Sequence, residues 1–292
     1  MSLRSITITP LITATDARTL VDNQSAVLVD GTWTLPGSTE DTKQPIIEAA
    51  VHFDLDDVCA PSTSLPHMAP TQTQVSDWSA ENGIAFGTPV VIIDNNGMFS
   101  SPRVWWTFRR VGWQHVSVVN GGSKAWLEAG SGHSKTSGEL DDDGKLGVPQ
   151  DSTDKVGAFK VASGVDIRAA IASGTHIIVD ARPQDRFKGD AAEPRNGLRR
   201  GAIPGSINLP YKDLITDNGY LKPVDQMKSL LGDIGISEDS KVISTCGSGV
   251  SASILILAME AIGWSNHMLY DGSWAEWGQP DENGDRPIVS TL

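Results

Sequence analysis

The chain of 292 residues has only two cysteines, Cys59 and Cys246. One thiol in each half excludes a disulfide framework and a zinc knuckle, so no metal is expected. A free thiol survives best in a reducing compartment, so the expected location is cytoplasmic, with an organelle left open. No apolar run approaches the roughly 18 residues that span a bilayer, and no membrane partner is expected. Positive charge is scarce: 23 Lys and Arg against 36 Asp and Glu leave a net charge of −13. Such a surface does not neutralise phosphates, which argues against nucleic acid as a partner. Residues 1–22 lack the basic-then-apolar pattern of a secretory leader. What remains is an ordinary globular composition, 39% apolar, with length enough for about two domains.

What the chain does have is repetition. Val90-Val91-Ile92-Ile93-Asp94 leads through a helical stretch to Gly112-Trp113, then to Val116-Ser117-Val118-Val119 and Gly121-Gly122-Ser123-Lys124-Ala125-Trp126. About 150 residues on, Val242-Ile243-Ser244-Thr245-Cys246 leads to Gly263-Trp264, then to His267-Met268-Leu269-Tyr270 and Asp271-Gly272-Ser273-Trp274. Residues 27–31 correspond in the same way to 177–181. Helices are predicted over 16–22, 74–82, 102–111 and 123–128, and again over 164–172, 224–231, 251–262 and 273–277. Short β-branched runs alternating with helices predict an α/β fold, each half a parallel sheet flanked by helices on both faces. The Gly-, Ser- and Asp-rich stretch between the halves reads as a linker. The expected organisation is a first domain over 1–138, a linker over 139–155 and a second domain over 156–292.

The repeat places Asp94 where the second half has Cys246. Cys246 lies in Cys246-Gly247-Ser248-Gly249-Val250-Ser251-Ala252, between a strand end and an apolar helix. Gly247 and Gly249 let the backbone curl until several N–H groups converge, and the helix dipole favours an anion there. A thiol in that place is expected to act as a thiolate nucleophile. A carboxylate cannot, so the first half shapes a site and the second performs the chemistry. Cys59 has no such setting and reads as an ordinary thiol.

Residues 182–200 form a basic island in an acidic chain: Arg182, Arg186, Lys188, Arg195, Arg199 and Arg200 against Asp185, Asp190 and Glu193. Lys188, Arg199 and Arg200 read as a solvated face. Arg186 and Arg195 follow a strand whose carboxyl end opens on the side of Cys246, where α/β sheets bind ligands. Their guanidinium forks suit an anionic substrate. Asp56 and His67 are a further candidate pair, though spacing alone leaves their roles open.

These residues together resemble the tandem rhodanese-type sulfurtransferases, with the thiol in the C-terminal copy. The loop from Cys246 to Ala252 is similar to that of the 3-mercaptopyruvate sulfurtransferases, with Ser251 where Thr is usual. Thiosulfate-preferring relatives usually carry basic residues at the positions of Gly247 and Ser248. Further likeness lies in Ser101-Pro102-Arg103-Val104-Trp105-Trp106, Gly201-Ala202-Ile203-Pro204-Gly205-Ser206 and Tyr270-Asp271-Gly272-Ser273-Trp274. The resemblance implies two rhodanese-like domains and sulfur transfer from 3-mercaptopyruvate to a thiol such as thioredoxin, to a small thiol, or to cyanide. It implies Arg186 and Arg195 as holders of the donor, and Gly247, Gly249, Val250 and Ser251 as parts of its binding loop. It also implies an Asp56–His67–Ser248 arrangement beside Cys246, and a Cys246 persulfide in place of any cofactor. The alternatives are a thiosulfate:cyanide sulfurtransferase and a non-enzymatic persulfide carrier. A Cys-dependent phosphatase would need an Arg about six residues after the Cys, and Ala252 stands there.

Overall fold

A computed structural model describes residues 9–35, 47–61, 64–130 and 159–290. The linker expected over 139–155 and both boundaries beside it lie outside the described residues. In the first half, strands β1 (Leu11–Ile12), β2 (Val27–Asp30), β3 (Val51–His52), β4 (Val90–Ile93) and β5 (Val116–Val119) form one sheet. In the second, β6 (Lys160–Ala162), β7 (Ile177–Asp180), β8 (Ile207–Asn208), β9 (Val242–Thr245) and β10 (His267–Tyr270) form another. Strand order is β1-β5-β4-β2-β3 in one and β6-β10-β9-β7-β8 in the other, which is the same order, and every pairing within these sheets is parallel.

The helices are α1 (Ala14–Asp22), α2 (Gln72–Glu81), α3 (Ser101–Arg110) and α4 (Gly122–Gly130), then α5 (Gly164–Ser173), α6 (Gln184–Lys188), α7 (Val224–Asp233), α8 (Ala252–Ala261) and α9 (Ser273–Trp277). Both α1 and α2 begin two residues earlier than the apolar pattern predicts because polar residues start them. Thr13 accepts from Asp16 N–H, and Thr71 forms a capping box with Gln74. The five-residue α6 was not predicted; it is too short to show a period. The two-residue strands β1, β3 and β8 escaped for the same reason.

Alternation along the central strands explains the layers. Val90 and Ile92 join the core that holds Val75 of α2 and Val104 of α3, whereas Val91 and Ile93 meet Ala17 of α1 and Trp126 of α4. In the second half Val242 joins the first of these cores, and Ile243 packs with Ile167 of α5 and Trp274 of α9. The first core is continuous across the two halves, with α3 against α8 at its centre. That placement accounts for α8 being apolar on every side: all residues from Ala252 to Met259 are buried. Among the described residues no helix is long and apolar enough to cross a membrane.

Candidate active site

Cys246 follows β9 directly, at the carboxyl end of a central strand, and is 1% exposed. The strand order switches sides at β7, with β8 on one flank and β9 then β10 on the other, so the site sits at the switch point where open parallel sheets bind ligands. The carbonyls of Cys246 and Gly247 accept from the amides of Trp274 and Ala275, at 2.9 and 2.8 Å, and are thereby drawn toward α9. Trans peptide planarity turns the N–H groups of Gly247 and Ser248 the opposite way, away from α9. The Gly249 carbonyl accepts from the Ser253 hydroxyl at 2.9 Å, which orients the Val250 amide in the same manner. Gly249 takes φ +79, a left-handed conformation suited to glycine. Ser251 precedes α8 without a side-chain capping bond. Ser273, to which the sequence analysis gives no role in the site, braces the cysteine: its hydroxyl accepts from Cys246 N–H at 3.2 Å and donates to the Tyr270 carbonyl at 2.8 Å.

The first half holds the matching loop with an anion already in it. Asp94 is fully buried, and its carboxylate accepts from the amides of Asn96, Met98, Ser100 and Ser101 at 3.0, 2.9, 2.9 and 2.7 Å. Gly97, at φ +68, stands in the place of Gly249. Asp94 is thus a built-in ligand for a nest whose counterpart surrounds Cys246. Asp94→Ala would leave four amides without their acceptor. A loss of about 3 kcal/mol or more of unfolding free energy is expected, read by denaturant titration; a loss below about 1 kcal/mol would contradict the role assigned to Asp94.

Asp56, His67 and Ser248 are brought together across the two halves. His67 Nδ1 lies 3.0 Å from Ser248 Oγ, and Nε2 lies 2.8 Å from Asp56 Oδ1. With Nε2–H donating to the carboxylate, Nδ1 accepts from the Ser248 hydroxyl. Burial pushes the His67 imidazole below its ordinary value against the pull of Asp56, so the ring is neutral at neutral pH. The His67 bond, together with one from Trp33 Nε1 at 3.0 Å, outweighs burial and holds the Asp56 carboxyl below the usual range. The Trp33 ring also meets His67 edge-on, with centroids 4.6 Å apart. Nothing in the local sequence around Trp33 signals this part.

Arg186 presses on the cysteine loop: one guanidinium nitrogen lies 3.1 Å from the point where a Cβ on Gly247 would sit. Its other anchor is Glu193, which Arg182 grips at 2.8 Å. Arg182 is itself buried, paired with Asp180 at 2.7 Å and stacked over Trp274 at 4.0 Å. Burial opposes its charge, but Asp180 and Glu193 hold it above its ordinary value. The basic island therefore divides. Arg182 is a buried strut, and Arg186 is set by Glu193. Half-buried Arg195 has its guanidinium lowered by burial, and it feels the charges of Cys246 and Asp56. Arg199 departs from the solvated face expected of it, since its half-buried guanidinium donates to the carbonyls of Trp277 and Arg286. Tyr211, which the sequence reading missed, lies within electrostatic reach of Cys246 and Arg186, and burial pushes its phenol up. Cys59 donates to the Asp56 carbonyl at 3.1 Å; burial, with Asp56 and Asp57 nearby, pushes its thiol up, away from thiolate character.

Comparison with known proteins agrees with this fold. The family model for the rhodanese-like domain matches residues 13–129 and again 165–280. The chain is 36% identical over 288 residues to the probable 3-mercaptopyruvate sulfurtransferase of Schizosaccharomyces pombe, covering 93% of each. It is 32% identical over 267 residues to the 3-mercaptopyruvate sulfurtransferase of Mus musculus, covering 87% of this chain and 86% of that one. The crystal structure of SseA from Escherichia coli, a 3-mercaptopyruvate sulfotransferase of rhodanese fold, matches with a TM-score of 0.72 at 29% identity, over 92% of this chain and 100% of that one. Two parallel sheets of one strand order, a cysteine loop in the second and its carboxylate-filled twin in the first therefore have one family to belong to: the chain is a rhodanese-family protein carrying two copies of the domain.

Proposed function

We propose that this protein moves sulfur from 3-mercaptopyruvate, through a persulfide on Cys246, to a thiol acceptor or cyanide, and releases pyruvate. The observation that carries the reading is the Asp56–His67–Ser248 array beside the cysteine loop. Thiosulfate departs as sulfite, a stable anion that needs no proton. A carbon leaving group departs as an enolate and does need one, which gives the array a purpose.

Cys246 thiolate attacks the donor sulfur. An S–S bond forms as the C–S bond breaks, and the electron pair passes into the pyruvate enolate. Arg186 and Arg195 meet the donor carboxylate and the oxygen on which charge develops. Ser248 takes the donor S–H proton while passing its own to His67 Nδ1, and the proton returns by that route to the enolate carbon. The products are pyruvate and a Cys246 persulfide anion, held in the amide nest of the loop at residues 247–251, the counterpart of the loop that holds Asp94. A small thiol or a thioredoxin-like dithiol removes the outer sulfur. The persulfide itself carries the sulfur, so no organic cofactor enters, and a cytoplasmic location keeps the thiol reduced.

The test is the ratio of kcat/KM for mercaptopyruvate to that for thiosulfate, followed against pH. The ratio is expected above about tenfold at neutral pH. His67 must be neutral to accept a proton, and its value lies below the ordinary 6.5. The ratio should therefore hold through neutrality and fall only as pH drops below that value. Titration of the thiol affects both donors and cancels. A ratio below one at pH 7 would make thiosulfate the donor, and a flat ratio down to acid pH would remove the relay.

A further inference from the structure

His67 is placed at a cost. Its backbone lies in the left-handed region at φ +57, which a residue with a side chain adopts only when its surroundings impose it. The surroundings here are an ion pair with one member from each half. Arg103, on α3, donates from Nη2 to the His67 carbonyl and pairs through the same nitrogen with Asp271 at 2.7 Å. Asp271 follows β10, and its second oxygen accepts from the Ala69 amide at 2.7 Å. The turn at 67–69 is therefore gripped at its carbonyl by the cation and two residues later by the anion. Both charged side chains are 3% exposed or less. The other Arg103 nitrogen, Nη1, is buried without a hydrogen-bond partner and lies 2.9 Å from where a Cβ on Gly249 would sit. The guanidinium also packs over the Trp106 ring at 4.6 Å. One side chain thus touches the turn that presents His67 and the bend of the loop that presents Cys246.

We infer that Arg103, locked by Asp271, is a positioning residue for sulfur transfer, keeping His67 Nδ1 in register with Ser248 across the junction of the two halves. Arg103 does not meet the donor, which Arg186 and Arg195 hold. Its effect therefore falls on the turnover of a donor that needs the proton relay, and not on donor affinity. The inference rests on the relay assigned above to Asp56, His67 and Ser248. Lysine keeps the charge but lacks the planar fork that serves a carbonyl and a carboxylate together.

The experiment measures kcat and KM for mercaptopyruvate and for thiosulfate in Arg103→Lys, in His67→Ala and in the double variant. His67→Ala is expected to lower mercaptopyruvate kcat about a hundredfold, and at least about tenfold more than thiosulfate kcat. Arg103→Lys is expected to lower mercaptopyruvate kcat about tenfold, with KM within about threefold of wild type and thiosulfate kcat less affected. The double variant should match His67→Ala, because a group that acts through His67 has nothing left to position. If His67→Ala spares mercaptopyruvate turnover, the relay itself is wrong. If that variant fails as expected while Arg103→Lys retains full kcat, the positioning inference alone is overturned. Equal losses on both donors, or losses that multiply in the double variant, would assign Arg103 a merely structural part and also overturn it. Should Arg103→Lys not fold, Arg103→Met with Asp271→Asn removes both buried charges at once and is read by the same criteria.

Discussion

Cys246→Ser abolishes sulfur transfer, with kcat expected to fall by more than about 10⁴-fold for either donor. The wild-type protein is expected to gain the mass of one sulfur atom on mixing with mercaptopyruvate and to lose it on adding cyanide, and the variant to gain none. The substitution is nearly isosteric in a site that is 1% exposed. It leaves in place the backbone bonds from Cys246 N–H to Ser273 and from Trp274 N–H to the Cys246 carbonyl. The melting temperature should therefore stay close to wild type, and loss of activity reads as loss of the nucleophile. A variant that still takes up sulfur would move the chemistry to Cys59, against the raised value of that thiol.

The second large effect is on the arginines. Arg195→Met is expected to reduce kcat/KM for mercaptopyruvate by about 10²–10³-fold, through loss of a charge-assisted contact that strengthens as the enolate forms. Arg186→Lys should cost about 10–100-fold. The lysine ammonium is a point charge and cannot both engage Glu193 and present a planar fork beside Gly247. Steady-state kinetics with both donors checks the pair. A change within about threefold in either variant would remove that residue from the binding of the donor.

Much of this site was legible one residue at a time. The glycines at 247 and 249, between a β-branched run and an apolar helix, describe a loop that gathers amides, and the repeat exposes Asp94 as its occupied twin. The basic island was legible as a cluster but not in its parts. Arg182 and Arg186 stand four residues apart, yet one is a buried strut and the other faces the loop. That division depends on Glu193, whose two oxygens are shared between them. The roles of Trp33 and Ser273 left no local signal, because each reaches the site through a hydrogen bond to a residue distant in sequence. The neighbours of Arg199 predict a solvated side chain, but its guanidinium donates to carbonyls of a segment distant in sequence.

By itself the sequence determined the two-fold repeat, the parallel α/β halves and the glycine-bearing cysteine loop between a strand and an apolar helix. These follow from periodicity, strand-end glycines and residue type, all encoded within a few tens of residues. Only the tertiary structure decided that α3 packs on α8 and that the halves share a core. From that packing comes the meeting of His67 with Ser248, 181 positions apart. Hydrogen bonds of this kind require placement within a few tenths of an ångström. Such precision arises from close packing across an interface, which no pattern along the chain records.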